Sequence, residues 1–195
     1  MAIFTYSRPT DAVKKVDGAY LPGQLVAVSP VDVIVPAIVG ATALENGQVV
    51  KKSVVNGVLT VVPIASGDSA TDVFGIVLND VRGQRVASEN IIHTYQPGQT
   101  VSIIRQGFVA VPLQQGSVVA DASVYVRVTA NSDTALPIGG IETAADSSKC
   151  VAISATFTGA TGYPLSKEVS VTKTNADTTV QVTSKTAVIK LTLGL

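Results

Sequence analysis

Apolar and polar residues alternate with a period of two along much of this chain, and helical periodicity is weak throughout. Val124, Val126 and Val128 alternate with Ser123, Tyr125 and Arg127; Ile189, Leu191 and Leu193 alternate with Lys190 and Thr192. That period predicts strands with one face on a core and the other on solvent, which places Tyr125 and Arg127 outward. Asp72–Asp80, Gln96–Pro112 and Val118–Val128 are further Val/Ile-rich stretches separated by glycine turns. Val54-Val55-Asn56-Gly57-Val58-Leu59 sets Asn-Gly between apolar pairs, a strong hairpin signal because both turn positions need positive φ. Pro22-Gly23, Asn46-Gly47, Pro97-Gly98 and Gly139-Gly140 mark other reversals. About ten strands emerge, at the spacing of a β-sandwich or β-barrel.

The fold class that follows is all-β: a single compact barrel or sandwich with an extended N-terminal arm and a Thr-rich C-terminal hairpin. Helix is confined to single turns, with Ala41–Glu45 and Ser88–Ile92 as the places for them. Pro30 and Pro36 bracket Val31–Val35, apolar but for Asp32; proline cannot donate a ladder hydrogen bond, so this strand belongs at a sheet edge or enters one. Residues 1–18 have no period of their own and read as the arm, leaving 19–195 as the β-rich body. The arm carries Ile3, Phe4 and Tyr6, apolar groups that a free terminus would leave in water. These three, with Val31, Val33 and Val35, are the expected contacts to a capsid subunit or a second copy. After Ile141 the chain turns rich in Thr, Ser, Ala and Asp. There Glu168–Thr174 and Thr178–Thr183 read as a hairpin turning at Asn175-Ala176-Asp177, inside a protruding insertion over 143–186.

Composition narrows the function classes. Fourteen basic residues balance fourteen acidic ones, whereas proteins that wrap nucleic acid carry a basic excess, so a nucleic-acid partner is not expected. Lys14-Lys15 and Lys51-Lys52 read as solvated edges. The longest apolar run, Val33–Ala41, is too short for a bilayer and is broken by Pro36 and Gly40, so no membrane span is expected. Met1-Ala2-Ile3-Phe4 lacks the basic start and long apolar stretch of a secretory signal, which points to synthesis in the cytoplasm. Cys150 is the single cysteine and cannot form an intrachain disulfide.

Candidate chemistry is sparse. His93 is the only histidine, in Ile91-Ile92-His93-Thr94-Tyr95, and no Gly-x-Ser-x-Gly elbow accompanies it. One His and one Cys do not supply a zinc site, and Gly67-Asp68-Ser69 and Asn175-Ala176-Asp177 lack the ligand spacing of a calcium loop. No phosphate-binding or dinucleotide-binding glycine loop is present, so no cofactor is expected. His93 and Cys150 read as structural, no residue is nominated as catalytic, and no enzyme activity is expected.

The stretch from Phe74-Gly75-Ile76 through the glycine-bounded Gly98–Gly107 segment to the small and polar residues opening Val118–Val128 resembles phage structural cement proteins, which decorate and staple capsids. The elements that carry the resemblance read as the strand Val73–Val77, a hairpin over Gly98–Val111 and a β-segment over Val118–Val128. Ala187–Leu193 looks like the closing strand of that family, and the long Thr-rich region before it departs from the family pattern. The resemblance implies a structural virion protein on the capsid exterior, with the major capsid protein as partner. It would stabilise the shell by bridging capsid subunits, and would itself be a homo-oligomer, dimer or trimer. The alternative is a carbohydrate- or host-binding β-module of a tail or fibre, disfavoured because the chain has no Trp and few aromatic residues to stack on sugars.

Overall fold

The computed structural model describes residues 20–27, 32–79, 93–130, 136–173 and 176–193, and between 162 and 184 the backbone alone. Twelve strands account for almost all the regular structure. The first half holds β1 (Leu25–Ala27), β2 (Val33–Val39), β3 (Leu44–Glu45), β4 (Val49–Val55), β5 (Val58–Pro63) and β6 (Val73–Val77). The second half holds β7 (Thr94–Tyr95), β8 (Thr100–Gln115), β9 (Ser123–Arg127), β10 (Ile141–Glu142), β11 (Cys150–Lys173) and β12 (Ala176–Thr192). The only helix among the described residues is one 3-10 turn at Ala70–Asp72 and another at Ser147–Lys149. Ala41–Glu45 forms no helical turn: Leu44 and Glu45 instead pair with Tyr95 and Thr94, and Leu44 is fully buried.

One sheet closes on itself twice. β8 pairs with β2, β2 with β5, β5 with β4, β4 with β6, and β6 returns to β8. β8 also pairs with β12, β12 with β11, β11 with β9, β9 with β10, and β10 returns to β8. The result is two small closed barrels that share β8, its first half serving one and its second half the other. Closure removes the free edges that a row of short strands would otherwise expose.

Two glycines make this closure sterically possible. Gly75 lies where β6 crosses β8, and a Cβ there would come within 2.4 Å of Ile103 Cγ2 and 2.5 Å of the Ile104 carbonyl oxygen. Only a residue without a side chain lets the two strands approach this closely. Gly107 stands where β8 leaves the first barrel for the second, at φ +133, with Asp32 Oδ1 2.6 Å from where its Cβ would be. Residues on either side of it belong to different barrels, so Gly98–Val111 is not a hairpin as the sequence suggests. From Thr100 on it lies along one strand that bends at Gly107.

The interiors follow the period of two. Ala37, Val39, Val50, Val61, Val77, Val101 and Ile103 fill the first barrel, with Leu44 and Tyr95 in the same cluster. Val109, Val111, Leu113, Val124, Val126, Ile141, Phe157, Ile189 and Leu191 fill the second. That second cluster also takes Val49, Ile76 and Ile104, which alternate with the inward residues of the first barrel and so lie on its outer face. The larger core therefore spans both barrels. Fully burying a Val, Leu or Ile side chain contributes about 1.5–3 kcal/mol, so these clusters dominate stability.

β11 and β12 outrun the sheet. From Leu165↔Ser184 to Lys173↔Ala176 they pair only with each other among the described strands. Register shifts between Phe157 and Pro164 give β11 extra residues there, the local kink of β-bulges. The C-terminal hairpin exists, with its turn earlier than the sequence suggested: Ala176 and Asp177 already pair with Lys173 and Thr172.

Candidate functional site

At one end of the first barrel the β4–β5 hairpin presents an apolar tip. Val55 pairs with Val58 and Val54 with Leu59, and Asn56 and Gly57 take φ 52 and 78, the left-handed pair of a tight hairpin turn. Successive residues on a strand face opposite ways, so a half-buried strand would have made one of Val54 and Val55 polar. Here both are apolar and both are exposed, Val54 at 58%, Val55 at 53% and Val58 at 51%. β2 runs parallel to β5 and begins at the same end, and there Ile34 is 43% exposed and Pro36 is exposed too. Between them these residues put apolar surface on a rigid closed scaffold, which marks a contact site more often than chance.

The same end carries a fixed cation. Arg105 donates from Nε to the Phe74 carbonyl at 3.2 Å, and its guanidinium stands 4.8 Å over the centre of the Phe74 ring. On β4, Lys51 is held by Asp68 at 2.9 Å.

The residues nominated from sequence fall partly on this surface. Ile3, Phe4, Tyr6 and Val31 lie outside the described residues. Val33 and Val35 are half-buried on β2, paired with Gln106 and Ile103 of β8. The exposed residue of that stretch is Ile34, between them. The edge reading of this strand holds for its first half: β8 flanks it throughout, whereas β5 joins only at Ile38 and Val39. The exposure of Val54, Val55 and Val58 was missed, although apolar residues on both sides of Asn-Gly were the visible signal.

A second cluster sits on the outer face of the second barrel. Arg127, expected on solvent, has a fully buried side chain. It donates from Nε to Glu142 Oε1 at 2.6 Å, from Nη2 to Glu142 Oε2 at 3.0 Å and from Nη2 to Asp146 Oδ2 at 2.9 Å. Its Nη1 reaches the Thr129 carbonyl at 3.3 Å. Gln114 Nε2 and Cys150 Sγ also donate to Glu142, at 3.0 and 3.4 Å. These residues come from β8, β9, β10, the start of β11 and the loop between the last two, so the cluster ties the seam where the second barrel closes. Burial opposes the charge of Arg127, yet hydrogen bonds to Glu142 and Asp146 hold its pKa above the ordinary guanidinium value. Burial pushes the Cys150 thiol pKa up, and its hydrogen bond to Glu142 adds to the shift. A thiol held protonated beside a carboxylate is a poor nucleophile.

Beside this cluster lies a shallow cleft of about 350 Å³ lined by Gln115, Gly116, Leu136, Thr143 and Asp146 among others. Its two charged lining residues, Glu142 and Asp146, are both already engaged by Arg127. His93 stands edge-on to Tyr95 with ring centres 4.7 Å apart, and its backbone N–H donates to Asn46 Oδ1 at 2.6 Å. Among the described residues no three His, Cys, Asp or Glu side chains gather to hold a metal ion. No described helix is long and apolar enough to cross a membrane.

Compared with known protein families, the chain matches one family model over residues 10–190, described as structural cement protein (E217 gp24/Pam3 gp6). None of the curated proteins matches it.

Proposed function

The chain belongs to the phage structural cement protein family, and from that premise we propose that it binds the outside of a phage capsid and stabilises the shell by bridging neighbouring major capsid subunits. The match over nearly the whole chain carries the reading. The apolar tip of Val54, Val55 and Val58, with Ile34 at the same end, supports a contact role. A ligand that binds assembled shell but not separated subunits shifts the equilibrium toward assembly, so many copies each add an increment against internal pressure.

The physics suits a passive staple. The barrels are closed and strand-rich, so the contact surface needs little ordering when it binds. Burying the exposed half of four Val and Ile side chains contributes on the order of 3–6 kcal/mol before association costs. That is too little for one tight contact, and a bridge gains from engaging two subunits at once. The arm, residues 1–18, supplies the further contact through Ile3, Phe4 and Tyr6, and Val31, Val33 and Val35 add to it. The protein works as a homo-oligomer, dimer or trimer, and not as an enzyme.

The test is binding to purified capsids that lack the protein, comparing the full chain with a truncation starting at Ala19. The expectation is that both fold and that the truncation occupies fewer sites at equal concentration. Failure of the full chain to bind would overturn the cement role for this capsid. Equal occupancy by the truncation would remove the arm from the interface.

A further inference from the structure

The β11–β12 ribbon beyond the sheet has two unequal faces. The register pairs Leu165 with Ser184, Lys167 with Val182, Val169 with Val180, Val171 with Thr178 and Lys173 with Ala176. Because strand residues alternate between faces, these ten positions share one face. The other face takes Ser166, Glu168, Ser170 and Thr172 opposite Thr183, Gln181, Thr179 and Asp177. One face is therefore apolar with two lysines and no carboxylate. The other is polar and carries Glu168 and Asp177.

From Leu165 to Lys173 the ribbon runs roughly 26 Å at about 3.3 Å per residue, paired only within itself among the described strands. An isolated two-stranded ribbon is marginal in water and a sheet's apolar face has to be covered by something. A second copy packed face to face would bring the same two lysines of each chain together with no carboxylate to answer them. Charge complementarity selects instead an apolar strip bordered by carboxylates.

We infer that the apolar face of this ribbon is a second docking surface, separate from the β4–β5 tip, that seats an apolar, carboxylate-bordered strip of the capsid shell. The inference rests on the cement reading and gives the staple its other leg. Lys167 and Lys173 orient the ribbon on the strip, and Leu165, Val169, Val171, Val180 and Val182 supply the buried area. The attachment weakens as salt rises, because the lysine contribution is screened.

The test uses full-length variants on purified capsids that lack the protein. V169E/V180E places two carboxylates on the apolar face at a paired position, K167E/K173E reverses its charge, and S170D/T179D makes a matched change on the polar face. The expected result is loss of capsid binding by roughly tenfold or more for the first two, with S170D/T179D close to wild type. Native mass and melting temperature in solution should be unchanged in all three. Wild-type binding by all three variants overturns the ribbon site while leaving the cement role intact. A lower native mass for V169E/V180E would assign the face to a second copy, and a lower melting temperature would assign it to another part of this chain; either overturns the proposal. Absence of binding by the wild-type protein overturns the cement role and the ribbon site together.

Discussion

Replacing Glu142 by Leu tests how the second barrel is held closed. The substitution removes both carboxylate oxygens from Arg127, whose side chain has no exposed surface, and leaves it Asp146 and the Thr129 carbonyl. Breaking a buried pair by removing one partner costs about 3–5 kcal/mol, since the remaining charge is left without compensation. Asp146 stays within reach and is partly exposed, so E142L belongs at the low end, about 3 kcal/mol. Arg127→Met strands Glu142 with only the Gln114 and Cys150 donors and belongs in the same range. The double variant R127M/E142L exchanges the pair for apolar groups of similar length and should recover at least about 2 kcal/mol of the summed loss. Urea unfolding of the four proteins, followed by circular dichroism, completes the cycle; at this chain length 3 kcal/mol corresponds to a melting shift of roughly 6–12 °C. Single substitutions each costing under about 1 kcal/mol, or a double variant that loses the full sum, would refute the clamp.

The tip variant V54S/V55S/V58S should keep wild-type stability, because its side chains are about half exposed, and should bind capsids several-fold more weakly; unchanged occupancy removes the tip from the interface. Folded protein at pH 8 should leave Cys150 unalkylated by iodoacetamide while urea-unfolded protein reacts; equal rates would contradict a buried thiol of raised pKa. That pKa is higher folded than unfolded, so its contribution is fully present below the ordinary thiol value of 9.0 and is lost as pH rises through the folded value; C150S should flatten the alkaline fall of wild type. Gly107→Ala should cost roughly 1–3 kcal/mol by forcing a Cβ onto φ +133 against Asp32; a neutral result in thermal unfolding would mean that the bend at Gly107 relaxes freely.

Local pattern carried the strands and global closure did not. Val73–Val77, the Asn56-Gly57 turn and the alternation at Val124–Val128 and Ile189–Leu193 are local features, and each appears where the period and turn residues put it. The sharing of β8 between two barrels depends on pairings as distant as Ile76↔Ile104 and Ile141↔Leu113, which no window of sequence contains. Gly98–Val111 was read as a hairpin because glycine serves a bend inside a strand as well as a reversal. Arg127 was read outward because alternation assigns a face without saying what covers it; Glu142 and Asp146, distant in sequence, do so here. The exposed apolar surface was half legible. Prolines and apolar residues pointed to β2, while the tip valines were spent on explaining the hairpin and not asked why both faces were apolar.

The most direct measurement of the bridging role is the heat resistance of phage particles with and without this protein, followed by DNA release. Particles lacking it should rupture at lower temperature, and adding purified full-length protein back should restore resistance in proportion to sites filled. The tip variant should restore less at equal protein concentration. Particles that bind the protein to full occupancy yet rupture at the same temperature as bare ones would contradict stabilisation by bridging and leave only decoration.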